Sequence, residues 1–246
     1  MKRRFGKVGS ESDEDLMRIH VATLFNCDAE GRILSLRRPW SRPSGPPRFF
    51  MGRRHDGNVW LFRHDLPEDL TRELEELCRS EPSVKDLTRP PRVASAVRAA
   101  LQGHGPITRE YRGPAYLIPE GAQAPMDAVL ITKEKGRMLD AGFPSMLPHL
   151  TAEVDIGPVT AAVVNGSAVS ICYCARLSPL GAEAGVETLE AMRGRGHATA
   201  AVAAWATALR RRGLLPLYST SWENLASQRV AEKLGAVCYG EDWEIE

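Results

Sequence analysis

At 246 residues with 43% hydrophobic residues, 26% charged residues, 21 Gly and 17 Pro, the chain is neither disordered nor collagen-like, and it is long enough for one large domain or two small ones. Lys+Arg 32 against Asp+Glu 31 leaves a formal net charge of +1. That balance supplies no global field to hold a nucleic-acid backbone or an anionic membrane, so a bound anion must be gripped locally.

The basic start runs straight into Ser10-Glu11-Ser12-Asp13-Glu14-Asp15 with no apolar stretch after it, so no signal peptide is expected. No window approaches the roughly 20 apolar residues of a membrane span, which points to a cytoplasmic protein. Residues 19–25 and 32–36 read as a hairpin about the polar break Asp28-Ala29-Glu30-Gly31. A Pro- and Arg-rich stretch, residues 37–48, reads as an exposed loop, and a second hairpin, residues 49–51 and 59–62, turns at Asp56-Gly57. Asp65 and Pro67 signal a helix start, continued by Leu70, Leu74 and Leu77 to about Ser80. A second amphipathic stretch follows Pro90-Pro91 and stops at Gly103, and residues 111–118 are extended.

A composition shift near Met126 marks a domain boundary, with residues 1–125 an N-terminal α/β region and 126–246 a second domain. Residues 127–131 form a short strand, and 136–147 contain a helix broken by Pro144 and Pro148. Residues 159–164 turn at Asn165-Gly166 into 168–175, the clearest hairpin in the chain, because Asn-Gly supplies the two φ > 0 residues of a tight turn. Cys172 and Cys174 share one face of that strand and read as small buried hydrophobes. The five cysteines form none of the spaced pairs of a zinc ribbon or a disulfide scaffold, so a reducing compartment and no metal are expected. A strand over residues 184–189, a helix over 198–212 stopped by Gly213, a strand over 214–219, a helix over 224–234 capped by Asn224, and a final strand over 237–245 complete an α/β (α+β) pattern.

Arg193-Gly194-Arg195-Gly196-His197-Ala198 lies between a predicted strand and the first turn of a predicted helix. A helix start leaves backbone N–H groups unpaired and partially positive, and the glycines let backbone approach a ligand, so this step can chelate a diphosphate. It lacks the Lys and Ser/Thr of a Walker loop and the third glycine of the dinucleotide fingerprint.

Arg-x-x-Gly-x-Ala in this setting resembles the acyl-CoA signature of the GNAT superfamily of N-acetyltransferases. Trp222-Glu223-Asn224-Leu225-Ala226-Ser227 with Ala231-Glu232-Lys233-Leu234-Gly235 resembles that superfamily's second helical motif. The likeness covers roughly residues 127–246, and the run Glu183-Ala184-Gly185-Val186-Glu187-Thr188 is similar to two-domain members such as the zwittermicin-resistance type. The resemblance implies a mixed central sheet flanked by helices and acetyl-CoA as co-substrate. It implies transfer to a primary amine, small-molecule or peptide, by direct attack on the thioester, and it allows a homodimer.

By the same resemblance, backbone of Val186, Glu187 and Thr188 would pair with the pantetheine arm. An N–H at Thr188 or Leu189 would face the acetyl carbonyl, and N–H groups of Arg195, Gly196, His197, Ala198 and Thr199 would hold the pyrophosphate. Arg193 and Gly194 lie beside that turn, and Asn224 and Ser227 would contact the coenzyme. Glu183 and Glu187, four apart on one strand, project to one face with Gly185 leaving space between them, so one of them is the candidate general base, with His197 a weaker candidate.

The family's thiolate-protonating tyrosine is replaced here by Ala231, with Tyr218 and Ser227 as substitutes. A thiol of pKa about 8.5 sits roughly 1.5 units from neutrality and an ammonium near 10.4 about 3.4 units, some 2 against 4.6 kcal/mol, so the base is the greater need. The missing tyrosine also admits a non-catalytic acyl-CoA-binding protein. A third alternative is an arginine-rich nucleic-acid binder built from Arg37, Arg38, Arg42, Arg48, Arg53 and Arg54 among Trp40, Phe49 and Phe50, against which the balanced charge argues. Residues 39–47 are otherwise expected to overhang the acyl site.

Overall fold

A computed structural model describes residues 11–38, 45–124, 126–151 and 155–246. The chain begins with a helix, α1 (Asp13–Leu24), where the alternating apolar run suggested a strand. Ser12 caps it: its hydroxyl accepts from the Asp15 N–H while the Asp15 side chain reaches back to the Ser12 N–H. Leu16, Met17, His20, Thr23 and Leu24 are buried at helical spacing, and that tertiary burial overrides the β-branched content of Ile19-His20-Val21. Of the expected first strand, residues 19–25, only Phe25 is extended, as the first residue of β1 (Phe25–Cys27), which pairs with β2 (Ile33–Leu36).

β3 (Phe49–Arg53) and β4 (Asn58–Phe62) form the second hairpin, followed by α2 (Glu68–Ser80), α3 (Ala94–Gly103) and β5 (Glu110–Leu117). β6 (Val129–Leu130) leads into two 3₁₀ turns, Lys133–Leu139 and Pro144–Met146, and a short α4 (Leu147–Thr151), in place of one broken helix. The Asn165-Gly166 turn, with φ of 50° and 80°, joins β7 (Thr160–Val164) to β8 (Ser167–Leu177). β9 (Gly181–Thr188), α5 (His197–Arg211), β10 (Leu215–Ser219), α6 (Leu225–Lys233) and β11 (Val237–Ile245) follow.

All strands from β3 onward join one nine-stranded sheet in the order β4-β3-β11-β5-β10-β9-β8-β7-β6. The division expected near Met126 therefore runs through a single sheet: β5 lies between β10 and β11, and β3 pairs with the far edge of β11. Helices cover both faces. On one face α5 and α6 bury Trp205, Val202, Leu209 and Ala231 against Cys172, Cys174, Ala182 and Tyr218, while α2 and α3 pack on Phe49, Met51, Trp243 and Ile245. On the other face α1 covers Phe50, Ala115, Leu217 and Tyr239. Among the described residues no helix is long and apolar enough to cross a membrane.

The two halves are further tied by charge. Arg53 and Arg112 both pair with Glu241, Arg53 also faces Glu81 at 3.5 Å, and Trp222 donates to the same Glu241 at 2.7 Å. Arg53, Glu81 and Glu241 are buried, so their charges rely on partners within this cluster, and removing Arg53 leaves Glu81 without its cation.

Candidate active site

β9 and β10 run parallel and pair only at Leu215 with Gly181, Pro216 with Ala182 and Leu217 with Glu183. Beyond that point β9 stays with β8 through Thr188 while β10 stays with β5 through Ser219, so the two strands part and a gap opens from Glu183 toward their C-terminal ends. This is the place in an open sheet where a ligand meets unpaired backbone. The Leu189 N–H donates to the Val169 carbonyl at 3.0 Å and the Glu187 carbonyl accepts from Ser170 Oγ at 3.0 Å, so both are spent on the β8 side. Strand alternation then turns the N–H groups of Ala184, Val186 and Thr188 toward the gap. The Leu189 N–H is thereby unavailable to a ligand in the gap, whereas that of Thr188 is turned toward it.

The chain leaves β9 through a short 3₁₀ turn and enters α5 over Gly194 (φ 76°) and Gly196 (φ 89°), both in the left-handed region that glycine adopts without penalty. Gly196 is the N-cap residue and no side chain caps the helix, so the first N–H groups at His197, Ala198 and Thr199 face outward at the open end of the gap. Arg193 and Arg195 are exposed beside them. His197 is buried, with Nδ1 3.0 Å from Met126 Sδ, so its ring is engaged with the segment before β6.

α6 also starts at the open end. Asn224 caps it by accepting from the Ser227 N–H at 3.1 Å, so its side-chain oxygen is already engaged. Ser227 Oγ lies 2.6 Å from the Tyr218 hydroxyl, one helical turn before Ala231, and Ala231 packs in the same buried cluster as Tyr218. Burial pushes the Tyr218 phenol up to about 12, an effect that the Ser227 hydrogen bond opposes, so it stays protonated at neutral pH.

The two strand carboxylates differ. Glu187 is exposed and accepts from the Tyr173 hydroxyl at 2.9 Å. The Tyr173 ring lies across Gly185, where a Cβ would overlap it, so the expected space between the two glutamates is filled by Tyr173 and not by substrate. Glu183 is buried at the apex of the gap and accepts from Ser219 Oγ.

Residues that sequence reasoning missed surround Glu183. His20 of α1 lies 3.0 Å from Asp242 of β11 and contacts the Tyr239 hydroxyl, all three being buried. Burial lowers the His20 pKa, but Asp242 more than reverses this and the net direction is upward. Glu244, two residues on from Asp242 and opposite Tyr111 of β5, is raised to about 7 by burial and by the neighbouring charges of Asp242 and Glu183.

Of the arginines weighed as a nucleic-acid surface, Arg48, Arg53 and Arg54 are buried. Arg48 donates to the carbonyls of Leu101 and Pro106, Arg53 pairs with Glu241, and Arg54 with Asp56. Phe49 and Phe50 are core, while Trp40 and Arg42, with the rest of residues 39–44, lie outside the described residues.

Residues 156–241 match the family model described as GNAT acetyltransferase. No curated protein matches the chain. Among solved structures, an acetyltransferase of the GNAT family from Colwellia psychrerythraea is 14% identical, covering 96% of this chain and 98% of its own, with a TM-score of 0.46. A GCN5-related N-acetyltransferase-like protein from Streptococcus suis is 20% identical over 81% and 84%, also at 0.46. A GNAT-family protein from Novosphingobium aromaticivorans is 17% identical at the same TM-score, and the match spans 57% of this chain and 65% of that one. The likeness to the GNAT acetyltransferase family thus lies over residues 156–241, which run from just before β7 into β11.

Proposed function

We propose that the protein is an acetyl-CoA-dependent N-acetyltransferase in which a primary amine attacks the thioester directly. The observation that carries this is the parting of β9 from β10 beyond Glu183, with two helix N-termini at the open end. Acetyl-CoA supplies an activated acyl group, and the residues present fit it. The strand edge at Val186 and Thr188 suits the amides of the pantetheine arm. The uncapped turn from Arg195 to Thr199 suits the pyrophosphate, with Arg193 and Arg195 at hand as cations. The N–H of Thr188 is placed to bind the oxyanion that forms at the acetyl carbonyl.

Glu183, at the gap's apex, takes the proton of the attacking amine, in preference to Glu187, which is held by Tyr173, and to His197, which is engaged with Met126. Tyr218, held by Ser227, stands where a proton for the departing thiolate is needed and Ala231 has none to give. Ala231 is also what keeps a non-catalytic acyl-CoA-binding protein as the second reading. The acceptor side is assigned to the face covered by α1.

Calorimetry with acetyl-CoA and thiol release with a panel of primary amines test the proposal together. Binding with thiol release, lost in Glu183→Gln and kept in Glu187→Gln, is expected. Binding without release from any amine leaves the coenzyme-binding reading, and no binding at millimolar coenzyme removes both.

A further inference from the structure

Seven polar side chains converge on one patch of the sheet although the sequence separates them by more than two hundred residues. His20 comes from α1, Tyr111 from β5, Glu183 from β9, Ser219 from β10, and Tyr239, Asp242 and Glu244 from β11. They lie on the face that α1 covers. Three of them stand in series: Ser219 Oγ donates to Glu183 Oε1, and the Tyr111 phenol lies beside Ser219. Ser219 is the last residue of β10, two past the final pairing of β10 with β9, so its hydroxyl reaches back across the start of the gap to the carboxylate. Gly113 makes this possible. A Cβ there would overlap the Thr220 carbonyl oxygen, so only glycine lets the end of β10 lie this close over β5.

We propose that Ser219 and Tyr111 are positioning residues for Glu183, Tyr111 orienting the Ser219 hydroxyl and Ser219 holding one carboxylate oxygen so that the other faces the amine. This rests on the acetyltransferase function proposed above. The physical need is specific to this site. Glu183 is buried at the apex of the gap, and to take the proton of an amine it must present one oxygen in a fixed direction. A hydroxyl donating to the other oxygen fixes the side-chain rotamer. The remaining charges around the patch are already engaged. Asp242 faces His20 at 3.0 Å, and Glu244 faces Arg109 at 3.6 Å. Arg176 of β8, in register with Glu183, bonds its neighbour's carbonyl, and Tyr239 faces His20. Ser219 is the one residue of the set that donates a hydrogen bond to Glu183.

The test uses the full chain with acetyl-CoA and an amine that the wild type acetylates, measuring kcat against pH and acetyl-CoA binding by calorimetry. Ser219→Ala is expected to lower kcat at pH 7 by about tenfold or more, and to move the acid limb of kcat up by about one to two pH units, the worth of a hydrogen bond to a charged group. Tyr111→Phe moves the limb the same way by less, Ser219→Thr restores it, and acetyl-CoA affinity stays within about twofold in all three because none touches the coenzyme turn. An unmoved limb in both Ser219→Ala and Tyr111→Phe overturns the assignment, as does a loss carried by coenzyme affinity or a Ser219→Thr variant no better than Ser219→Ala. Should Ser219→Ala fail to fold, Tyr111→Phe, which removes one hydroxyl, decides alone. A wild type that releases no thiol with any amine overturns the acetyltransferase function itself, whereas an active wild type with indifferent variants overturns only the positioning roles.

Discussion

Glu244→Gln removes an ionisable group from the patch while keeping its size and an oxygen. In the native protein burial, then Asp242, then Glu183, raise this carboxyl from 4.5 to about 7. The native state thus binds its proton more tightly than the unfolded chain does. The stability contributed by that proton is fully present below pH 4.5 and is lost as pH rises through 7. The difference of about 2.5 units corresponds to about 3 kcal/mol at 1.36 kcal/mol per unit. The side chain is only 14% exposed, so solvent screening removes little of this. His20, whose pKa is also raised and in small part by Glu244 itself, gives a slope of the same sign; the substitution weakens that shift, so what does not cancel adds to the difference in the same direction. Urea unfolding of wild type and Glu244→Gln at pH 5, 6, 7 and 8 isolates the term. The variant's stability relative to wild type should climb by about 2 to 3 kcal/mol from pH 5 to pH 8, most of it between pH 5 and pH 7. A relative stability that is flat across this range, or that falls with pH, would falsify the assignment of a raised carboxyl at this position.

Gly113→Ala should destabilise the fold by about 3 kcal/mol or more, seen as a fall in the calorimetric unfolding temperature, because its Cβ meets backbone of Thr220 and Ser221 that cannot rotate aside. Gly196→Ala, forced to φ 89°, should cost about 1 to 2 kcal/mol at the helix start and weaken acetyl-CoA binding about tenfold by calorimetry; unchanged affinity would remove that turn from the coenzyme site. Asn224→Ala removes the bond to the Ser227 N–H and should cost about 1 kcal/mol in urea unfolding, with Asn224→Asp retaining stability.

Where local chemistry decides an element, the sequence was enough to read it. Asn165-Gly166 dictates its hairpin through two positive φ angles, and Gly103, Gly213 and Asn224 mark helix ends where the structure has them. α1 was misread because Ile19-His20-Val21 looks β-branched and alternating, while the deciding signals are the Ser12/Asp15 capping box and burial every three to four residues, the latter set by packing on the sheet. The parting of β9 and β10 was implied only by family resemblance, since no local pattern says where two parallel strands stop pairing. The filled space over Gly185 depends on Tyr173 of the neighbouring strand. Asp242 and Glu244 alternate with Trp243 and Ile245, which in sequence looks like a solvent-facing edge; His20 and α1, from the other end of the chain, turn it into a buried patch.

The position of β11 between β3 and β5 has a consequence for how the molecule is made. A strand synthesised after nearly all the rest must enter between two strands synthesised long before it, and β10 must find β5 across about a hundred residues. Until then the facing edges of β3, β5 and β10 are incomplete, with their backbone groups open to other chains. Pairings of such long range are slow to form, so folding waits on translation and passes through states with exposed strand edges. Expression at low temperature should therefore give more soluble product than rapid expression at high temperature.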